Sequence, residues 1–252
     1  MRLDVVGAGP AYTDRPGATG ASYLLRYLGA SLVLDLGQGS FPRLAGLIDP
    51  ADAEAVVISH LHPDHYIDLI PLRHYLRYEK PRRRVRVIGP ADLGPRLDAL
   101  HDEPGFSAAA LDIESVALGT KEIGPYRLEA VRVTHADASC GFRVSPIARS
   151  ADARGLVYSG DCGNAADLDA LVRPGDTLLC EVSFGPGPVV VGAGHLDGPA
   201  VGELASRTRA GRVLLTHLQM GFDRDATIDS VRARYGGQVE LVDPGFDTVV
   251  EP

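Results

Sequence analysis

The sequence is poor in cysteine, in long apolar runs and in positive charge. Its three cysteines, Cys140, Cys162 and Cys180, are too few and too scattered for a disulfide framework, and no Cys-x-x-Cys pair occurs. With 25 Lys and Arg against 33 Asp and Glu, the net charge is −8, which excludes a broadly basic surface for coating nucleic acid. No run approaches the roughly eighteen apolar residues of a membrane span, and the first residues contain no secretory h-region. These absences predict a cytoplasmic protein with reduced thiols and no contact with membranes.

The composition is that of an ordinary globular protein, with 45% hydrophobic and 23% charged residues in a chain of 252. A chain of this length can bury a large core in one domain. No repeat period, low-complexity tract or Pro/Gly/Ser linker divides it. We therefore expect a single domain over residues 1–252.

Short β-branched or leucine-rich runs bounded by Gly, Pro and Asp predict strands along the whole chain, and helical spacing predicts helices between them. The predicted strands are 3–6, 22–27, 31–36, 55–59, 85–89, 126–134, 140–144, 155–159, 177–182, 212–216, 238–241 and 248–251. The predicted helices are 41–48, 65–78, 93–102, 165–172, 198–208 and 226–235. Strands that interleave with helices in this way favour two mixed sheets packed face to face with helices outside over one doubly wound sheet. The predicted fold class is therefore α/β, as a four-layer αβ/βα sandwich.

The glycine-rich turns give weaker signals. Gly7 and Gly9 follow the first predicted strand, but the Gly-x-Gly-x-x-Gly spacing of a dinucleotide loop fails. Asp35 ends another strand, just before Gly37-Gln38-Gly39. It can cap that turn or orient a metal ligand, and the sequence favours capping.

One segment has the density of a metal site. Directly after the predicted strand 55–59 comes His60-Leu61-His62-Pro63-Asp64-His65, with four metal-competent side chains in six positions. In an extended loop His60 and His62 point the same way, whereas Asp64 and His65 begin the next helix and turn toward a neighbouring position. One loop can thus serve two metals. The alternative is a surface loop with a helix-capping Asp64, but neutral imidazoles beside a carboxylate favour zinc.

Three later strands end on further candidates. Val131-Arg132-Val133-Thr134 leads to His135, Tyr158-Ser159-Gly160 leads to Asp161, and Leu214-Leu215-Thr216 leads to His217. A lone histidine or aspartate at a strand end is more often a turn or core residue. Together and in chain order, these three motifs add further candidate ligands to those of the His60–His65 segment.

The motif His-x-His-x-Asp-His between a strand and a helix, followed by these three strand ends, resembles the metallo-β-lactamase superfamily. The resemblance runs from residue 3 to about residue 250 and implies the αβ/βα sandwich, with two metals at one edge between the sheets. Carried over position by position, it implies two ligand sets bridged by one aspartate. One set is His60, His62 and His135, the other is Asp64, His65 and His217, and the bridge is Asp161. The histidine-rich set favours Zn²⁺, and the two aspartates would also accept manganese or iron.

Further motifs select a branch of that superfamily. His65 after Asp64 disfavours a true β-lactamase, and Tyr66 stands where glyoxalase-II-like thioesterases usually place glycine. Glu181 and His195 are similar to a pair of motifs in the tRNase Z and phosphodiesterase branch. The alternative for His195 is a residue at the start of a helix with no chemistry.

The chain also departs from tRNase Z. Only residues 145–155 stand where those enzymes insert a long arm that grips tRNA, and Leu218-Gln219-Met220 replaces their Ser and Arg-Tyr pair. This disfavours processing of tRNA, and binding of nucleic acid would have to proceed without an arm. A small phosphodiester, cyclic nucleotide or nucleic-acid end remains as the expected substrate.

A basic segment follows the metal motif. Such a run is usually a solvated loop, and it could otherwise hold a polyanion through phosphate contacts. It lacks the interleaved aromatic residues of a base-stacking platform. Its members are Arg73, Arg77, Lys80, Arg82, Arg83, Arg84 and Arg86.

The resulting expectation is a two-zinc phosphodiesterase in which the bridged metals lower the pKa of a shared water. Asp64 would accept the proton of that water, and His195, oriented by Glu181, would donate one to the leaving oxygen. The same site could hydrolyse a lactone or thioester, and a metal-binding protein without turnover is the non-enzyme alternative. The sequence leaves the oligomeric state open, with a homodimer as one alternative.

Overall fold

The strands form two mixed sheets of seven strands each. The structure, a computed structural model, describes residues 1–150 and 153–250. In spatial order the first sheet contains β14 (Asp247–Val249), β1 (Arg2–Gly7), β2 (Ser22–Tyr27), β3 (Ala30–Leu34), β4 (Ala55–Val57), β5 (Val85–Gly89) and β6 (Leu111–Ser115). The second contains β13 (Gln238–Leu241), β12 (Arg212–Thr216), β11 (Thr177–Glu181), β10 (Leu156–Tyr158), β9 (Cys140–Pro146), β8 (Tyr126–Arg132) and β7 (Gly119–Ile123). Strands β3 to β6 and β10 to β13 pair in parallel, and the other pairs are antiparallel.

Helices cover the outer face of each sheet. Next to the first sheet lie α1 (Phe41–Leu47), α2 (Pro63–Tyr66), α3 (Leu69–Tyr78) and α4 (Leu93–His101), and next to the second lie α5 (Gly198–Thr208) and α6 (Arg224–Arg232). Among the described residues, no helix has both the length and the apolar composition needed to cross a bilayer.

Side-chain alternation along the strands divides the apolar residues among three cores. In β2, Tyr23 and Leu25 point between the sheets while Leu24 packs against α1 to α4, and in β12 Leu214 and Leu215 divide in the same way. One core therefore lies between the sheets and one lies beneath each helical layer. The predicted four-layer sandwich is confirmed.

Two strands and two helical segments differ from the sequence prediction. The charged strands β6 and β7, which were not predicted, each form one edge of a sheet, where two of the five residues of β6 and three of the five of β7 are exposed. The helix predicted over 65–78 is two helices, because Leu36 takes up backbone groups at the break: it accepts from Asp68 N at 3.0 Å and donates to the carbonyl of His65 at 2.7 Å. The helix predicted over 165–172 is only a 3₁₀ turn, Ala165–Leu168.

The basic segment 73–86 is largely neutralised within the molecule. Three of its cations pair with carboxylates at 2.6 Å: Lys80 with Asp49, Arg83 with Asp52, and Arg84 with Asp112. Arg86 pairs with Glu114, and Arg73 is buried over the ring of Phe106. These contacts favour the solvated, internally paired loop over a polyanion surface.

The second sheet contains a buried ion pair. The guanidinium of Arg143 is fully buried and donates to both oxygens of Asp176, at 2.7 and 3.0 Å. Asp176 also accepts the backbone N–H groups of Gly155 and Arg173. This pair therefore joins β9 to the turn before β11.

We expect Arg143→Met to destabilise the protein by about 3–5 kcal/mol, because it leaves Asp176 buried without its cation. Urea unfolding followed by circular dichroism measures the loss. Arg84→Met is the matched control, since it breaks an exposed ion pair and should cost no more than about 1 kcal/mol. Equal losses for the two variants would contradict this role of the buried pair.

Candidate metal centre

The predicted ligands lie at one edge of the sandwich because they follow strand ends. His60 and His62 come after β4, and His135 comes just after β8. Asp161 and His217 follow β10 and β12, whose carboxyl ends meet at the same edge because these strands run in parallel. All seven predicted ligands are brought together, including Asp64 and His65 on α2.

The short helix α2 is fixed through its backbone. The carbonyl of Asp64 accepts from Ala21 N at 2.9 Å, and the carbonyl of His65 accepts from Leu36 N at 2.7 Å. At Gly37 a Cβ atom would lie 1.8 Å from the Asp64 oxygen, so only glycine permits this close approach. The turn after β3 therefore sets the depth of the helix in the site.

The ligand atoms form the two predicted sets. In the first, His62 Nδ1 lies 3.1 Å from His60 Nε2 and 3.0 Å from His135 Nε2. In the second, His217 Nε2 lies 3.1 Å from Asp64 Oδ2 and 3.4 Å from His65 Nε2. Within each set, the ligand atoms lie within 4.8 Å of one another.

Asp161 lies between the two sets and turns one oxygen toward each. Its Oδ2 is 3.7 Å from His60 Nε2 and 3.6 Å from His135 Nε2. Its Oδ1 is 3.3 Å from His65 Nε2 and 3.6 Å from His217 Nε2. Oδ1 is buried and makes no hydrogen bond within residues 1–150 and 153–250. Burying a carboxylate oxygen without a hydrogen bond costs free energy unless a cation lies beside it.

The proton positions on the buried imidazoles follow from the groups at their other nitrogen. His65 Nδ1 lies 2.8 Å from Asp35 Oδ2, and a carboxylate oxygen only accepts, so this nitrogen donates. Ser59 Oγ gives its single proton to the same oxygen at 2.7 Å, so it accepts from His60 Nδ1 at 3.1 Å. The Nε2 atoms of His60 and His65 therefore both face the centre, and that of His60 keeps its lone pair.

His135 and His217 are fixed in the same way. His135 Nδ1 donates to the carbonyl of Gly194 at 2.6 Å. Ser183 Oγ gives its proton to Glu181 Oε2 at 2.6 Å and so accepts from His217 Nδ1 at 3.0 Å. Four imidazoles thus turn Nε2 toward the centre, which is the arrangement of histidines that bind metal.

The charge states suit divalent cations. Burial alone would raise the pKa of Asp161, but the imidazoles of His217, His65 and His60 hold it well below its ordinary value, so Asp161 is ionised. Burial and the neighbouring His65 hold the pKa of His60 well below its ordinary value, so that imidazole is neutral. Burial disfavours the imidazolium forms of His65 and His217, but Asp161 outweighs it and raises the pKa of both, so a bound cation would displace their Nε2 protons. The donor set therefore fits divalent metal ions.

Asp35 has a different role from the turn-capping one that the sequence favoured, and that interpretation is wrong. The side chain is fully buried and accepts from Ser59, His65 and the hydroxyl of Tyr158 at 2.6 Å. Both Asp35 and His217 have a left-handed backbone, with φ of 58° and 60°. Such conformations cost about 1–3 kcal/mol each and concentrate at functional sites. Through its hydrogen bond to His65 Nδ1, Asp35 orients a candidate ligand.

We expect Asp35→Asn to weaken metal binding by roughly 10–100-fold, the range seen when partners of ligating histidines are changed. The amide can present its NH₂ group to His65 Nδ1, which would move the imidazole proton to Nε2, facing the centre. Competition with a chelator of known affinity measures the change. Tyr158→Phe is the matched control, since it removes one other donor to Asp35. Unchanged metal affinity in Asp35→Asn would contradict the positioning role.

Glu181 and His195 form a second polar group beside the ligands. Glu181 Oε1 accepts from Cys162 N at 2.9 Å and lies 3.0 Å from His195 Nδ1. Burial disfavours the imidazolium, but the hydrogen bond to Glu181 outweighs it and raises the pKa of His195. The Glu181 and His195 side chains are thus in contact, with Nε2 of His195 left for another partner.

The site opens on one side. His62 is exposed and the His195 side chain is 15% exposed, whereas the side chains of the other members of the two sets, His135 included, are buried. The ring of His195 lies 4.7 Å from that of His135, measured between ring centres. A substrate can therefore approach the centre past His195.

The sequence did not identify Ser59, Ser183 or the carbonyl of Gly194 as parts of the site. Ser183 stands two positions after Glu181 and Ser59 one position before His60, so spacing offered a weak signal. The Gly194 carbonyl carries no signal of its own, because any residue supplies one.

The comparisons with known proteins agree with this geometry. A family model described as a beta-lactamase superfamily domain matches residues 33–218. The chain therefore belongs to the metallo-β-lactamase superfamily, whose metal-dependent hydrolases share this fold and kind of site.

Relatives match over nearly the full length. The uncharacterized protein Rv1339 of Mycobacterium tuberculosis is 32% identical over 96% of this chain and 89% of its own length. The probable metallo-hydrolase YhfI of Bacillus subtilis is 24% identical over 98% of both chains. The crystal structure of YhfI aligns with a TM-score of 0.85, 22% identity and coverage of 98% of this chain and 99% of that chain.

Two other solved structures share the fold. The short form of human tRNase Z aligns with a TM-score of 0.74 and 19% identity over 100% of both chains. A diphosphatase of the PhnP family aligns with a TM-score of 0.75 and 17% identity, covering 99% of this chain and 98% of that chain. Both alignments show that the chain shares the fold of these two proteins.

Proposed function

We propose that the chain is a two-metal phosphodiesterase that acts on a small phosphodiester, a cyclic nucleotide or a nucleic-acid end. The observation that carries the proposal is the division of the two Asp161 oxygens between two sets of imidazole nitrogens. The names of similar proteins, a ribonuclease and a diphosphatase, support chemistry at phosphorus.

The residues that would hold the ions are His60, His62 and His135 in one set and Asp64, His65 and His217 in the other, with Asp161 between them. When bound, two divalent ions, for which zinc is the first choice, would act as Lewis acids toward water and the phosphoryl oxygens. The protein contributes the fixed lone pairs and excludes water from the deep part of the site.

Asp64 is proposed as the acceptor of the proton of the attacking water. Its carboxylate is buried at the second set, where the hydrogen bond to His217 overcomes burial and lowers the pKa of Asp64. It is therefore ionised and able to accept a proton.

His195 is proposed as the donor to the leaving oxygen. As water attacks phosphorus and the bond to the leaving oxygen breaks, that oxygen gains charge and needs a proton. Glu181 holds the Nδ1 proton of His195, so the imidazolium can give up its Nε2 proton. Its place at the opening of the site suits contact with a departing group.

The test is a panel of substrates offered to the zinc-reconstituted protein. We expect bis(p-nitrophenyl) phosphate and the 2′,3′- or 3′,5′-cyclic nucleotides to be hydrolysed faster than nitrocefin, a homoserine lactone or a glutathione thioester. The physical reason is that two bound ions would stabilise both the attacking and the leaving oxygen of a displacement at phosphorus. Faster turnover of nitrocefin or of an acyl substrate would overturn the proposal.

We propose further that nucleic acid is bound without an arm. The connection between β9 and β10 is residues 147–155, of which 151–152 lie outside the described residues. Full-length precursor tRNA should therefore be processed poorly, because long-range phosphate contacts are missing.

A further inference from the structure

A second cavity lies behind the metal centre, and none of the proposed chemistry uses it. It has a volume of about 300 Å³ and is lined by Arg15, Arg43 and Arg224 together with backbone of the loop after β1. Ala8, which also lines it, accepts a hydrogen bond from His217 N at 2.9 Å. We call it the Arg15 cavity. The Arg15 cavity is therefore separated from the candidate ligand His217 by one residue, Ala8.

The charges that line this cavity are unbalanced. Three guanidinium groups meet one carboxylate, Asp243, which already accepts from Arg224 at 2.6 and 3.0 Å. Arg43 donates to the carbonyl of Gly17 at 3.0 Å, a neutral partner. The cavity therefore carries excess positive charge in a chain with a net charge of −8.

Arg15 is the clearest sign of a missing partner. Its side chain is half-buried, and within residues 1–150 and 153–250 its guanidinium makes no hydrogen bond or ion pair. A guanidinium offers five donors in a planar fork that matches carboxylate and phosphate oxygens. Three of them around one cavity favour an anion with several oxygens over a cation or a neutral ligand.

The size of the cavity limits the ligand. A volume of about 300 Å³ is at the small end of ligand sites in proteins. We propose that the Arg15 cavity binds a phosphate-type oxyanion beside the metal centre. This site does not depend on the proposed phosphodiesterase activity, because no metal ligand belongs to it.

Equilibrium dialysis of labelled inorganic phosphate against the zinc-reconstituted protein tests the site. We expect Arg15→Ala to weaken one class of phosphate site by roughly tenfold or more, since it removes charge-assisted hydrogen bonds. Arg77→Ala, at an exposed arginine of α3 that does not line the cavity, should change nothing. Arg43→Ala provides a second, exposed variant in case the first misfolds, with thermal unfolding as the check. Unchanged phosphate binding in both cavity variants would overturn the proposal.

The oxyanion has two sources, a terminal phosphate on the substrate or free phosphate, and kinetics distinguish them. With a terminal phosphate, Arg15→Ala should raise KM about tenfold for a 5′-phosphorylated dinucleotide and leave the unphosphorylated one unchanged. With free phosphate, neither KM should respond to the substitution, and added phosphate should alter turnover of the original protein but not of Arg15→Ala. If no dinucleotide is hydrolysed, the proposed function fails, and dialysis still decides the cavity.

Discussion

Replacing Asp161 by asparagine is expected to reduce phosphodiester hydrolysis by at least about a thousandfold, which corresponds to roughly 4 kcal/mol of lost stabilisation. The neutral amide cannot share a negative charge between the two ligand sets, and its NH₂ group offers no lone pair to a cation. Elemental analysis should show fewer metal ions per chain, and the assay on bis(p-nitrophenyl) phosphate should show the loss.

Asp169→Asn is the matched control. Asp169 lies eight positions after Asp161 in the chain, and its carboxylate is exposed and pairs with Arg207. The substitution therefore makes the same chemical change outside the site. It should leave metal content and turnover unchanged. If Asp161→Asn keeps the metal content of the original protein and activity within tenfold, Asp161 does not bridge two sites.

Replacing His195 by alanine is expected to slow a cyclic or dinucleotide substrate by roughly a hundredfold or more, the range of general acid catalysis. A ribose oxygen is a strong base and needs the proton, whereas p-nitrophenolate leaves without one. Hydrolysis of bis(p-nitrophenyl) phosphate should therefore change much less. Paired rate measurements on the two kinds of substrate give the comparison, with His101→Ala, at a half-exposed histidine of α4, as the control.

Glu181→Gln should give a milder form of the same pattern. The amide would orient His195 less well and remove the negative charge that stabilises its imidazolium. Metal content should remain near that of the original protein in His195→Ala, because this residue belongs to neither proposed set. Equal losses on both leaving groups, or a lost metal ion, would mean that His195 positions the site or binds metal instead.

Sequence patterns predicted most of this architecture because its strands and helices carry strong local signals. The strands β2, β5, β12 and β13 and the helix α5 have the predicted bounds. The edge strands β6 and β7 were missed, since exposed charged residues weaken the apolar alternation that reveals a strand. The single break within the predicted helix 65–78 depends on backbone hydrogen bonds with Leu36 after β3, which no local pattern contains.

The candidate ligands were predictable because all seven are histidines or aspartates in dense or strand-terminal motifs. The residues that orient them were not. Asp35 lies 30 positions from His65, and its role depends on how the two segments meet in the sheet. Contacts of this kind need the fold, so sequence spacing alone assigned Asp35 to the wrong partner.

Each ligand set combines residues from both halves of the sandwich. His60 and His62 follow the first sheet and His135 the second, and Asp64 and His217 divide in the same way. An ion bound in either set would join the two sheets, and its binding free energy would add to the free energy of unfolding. At a free ion concentration a hundredfold above Kd, one such ion contributes about 2.7 kcal/mol. The thermal stability of the protein would thus vary with the metal supply of its surroundings.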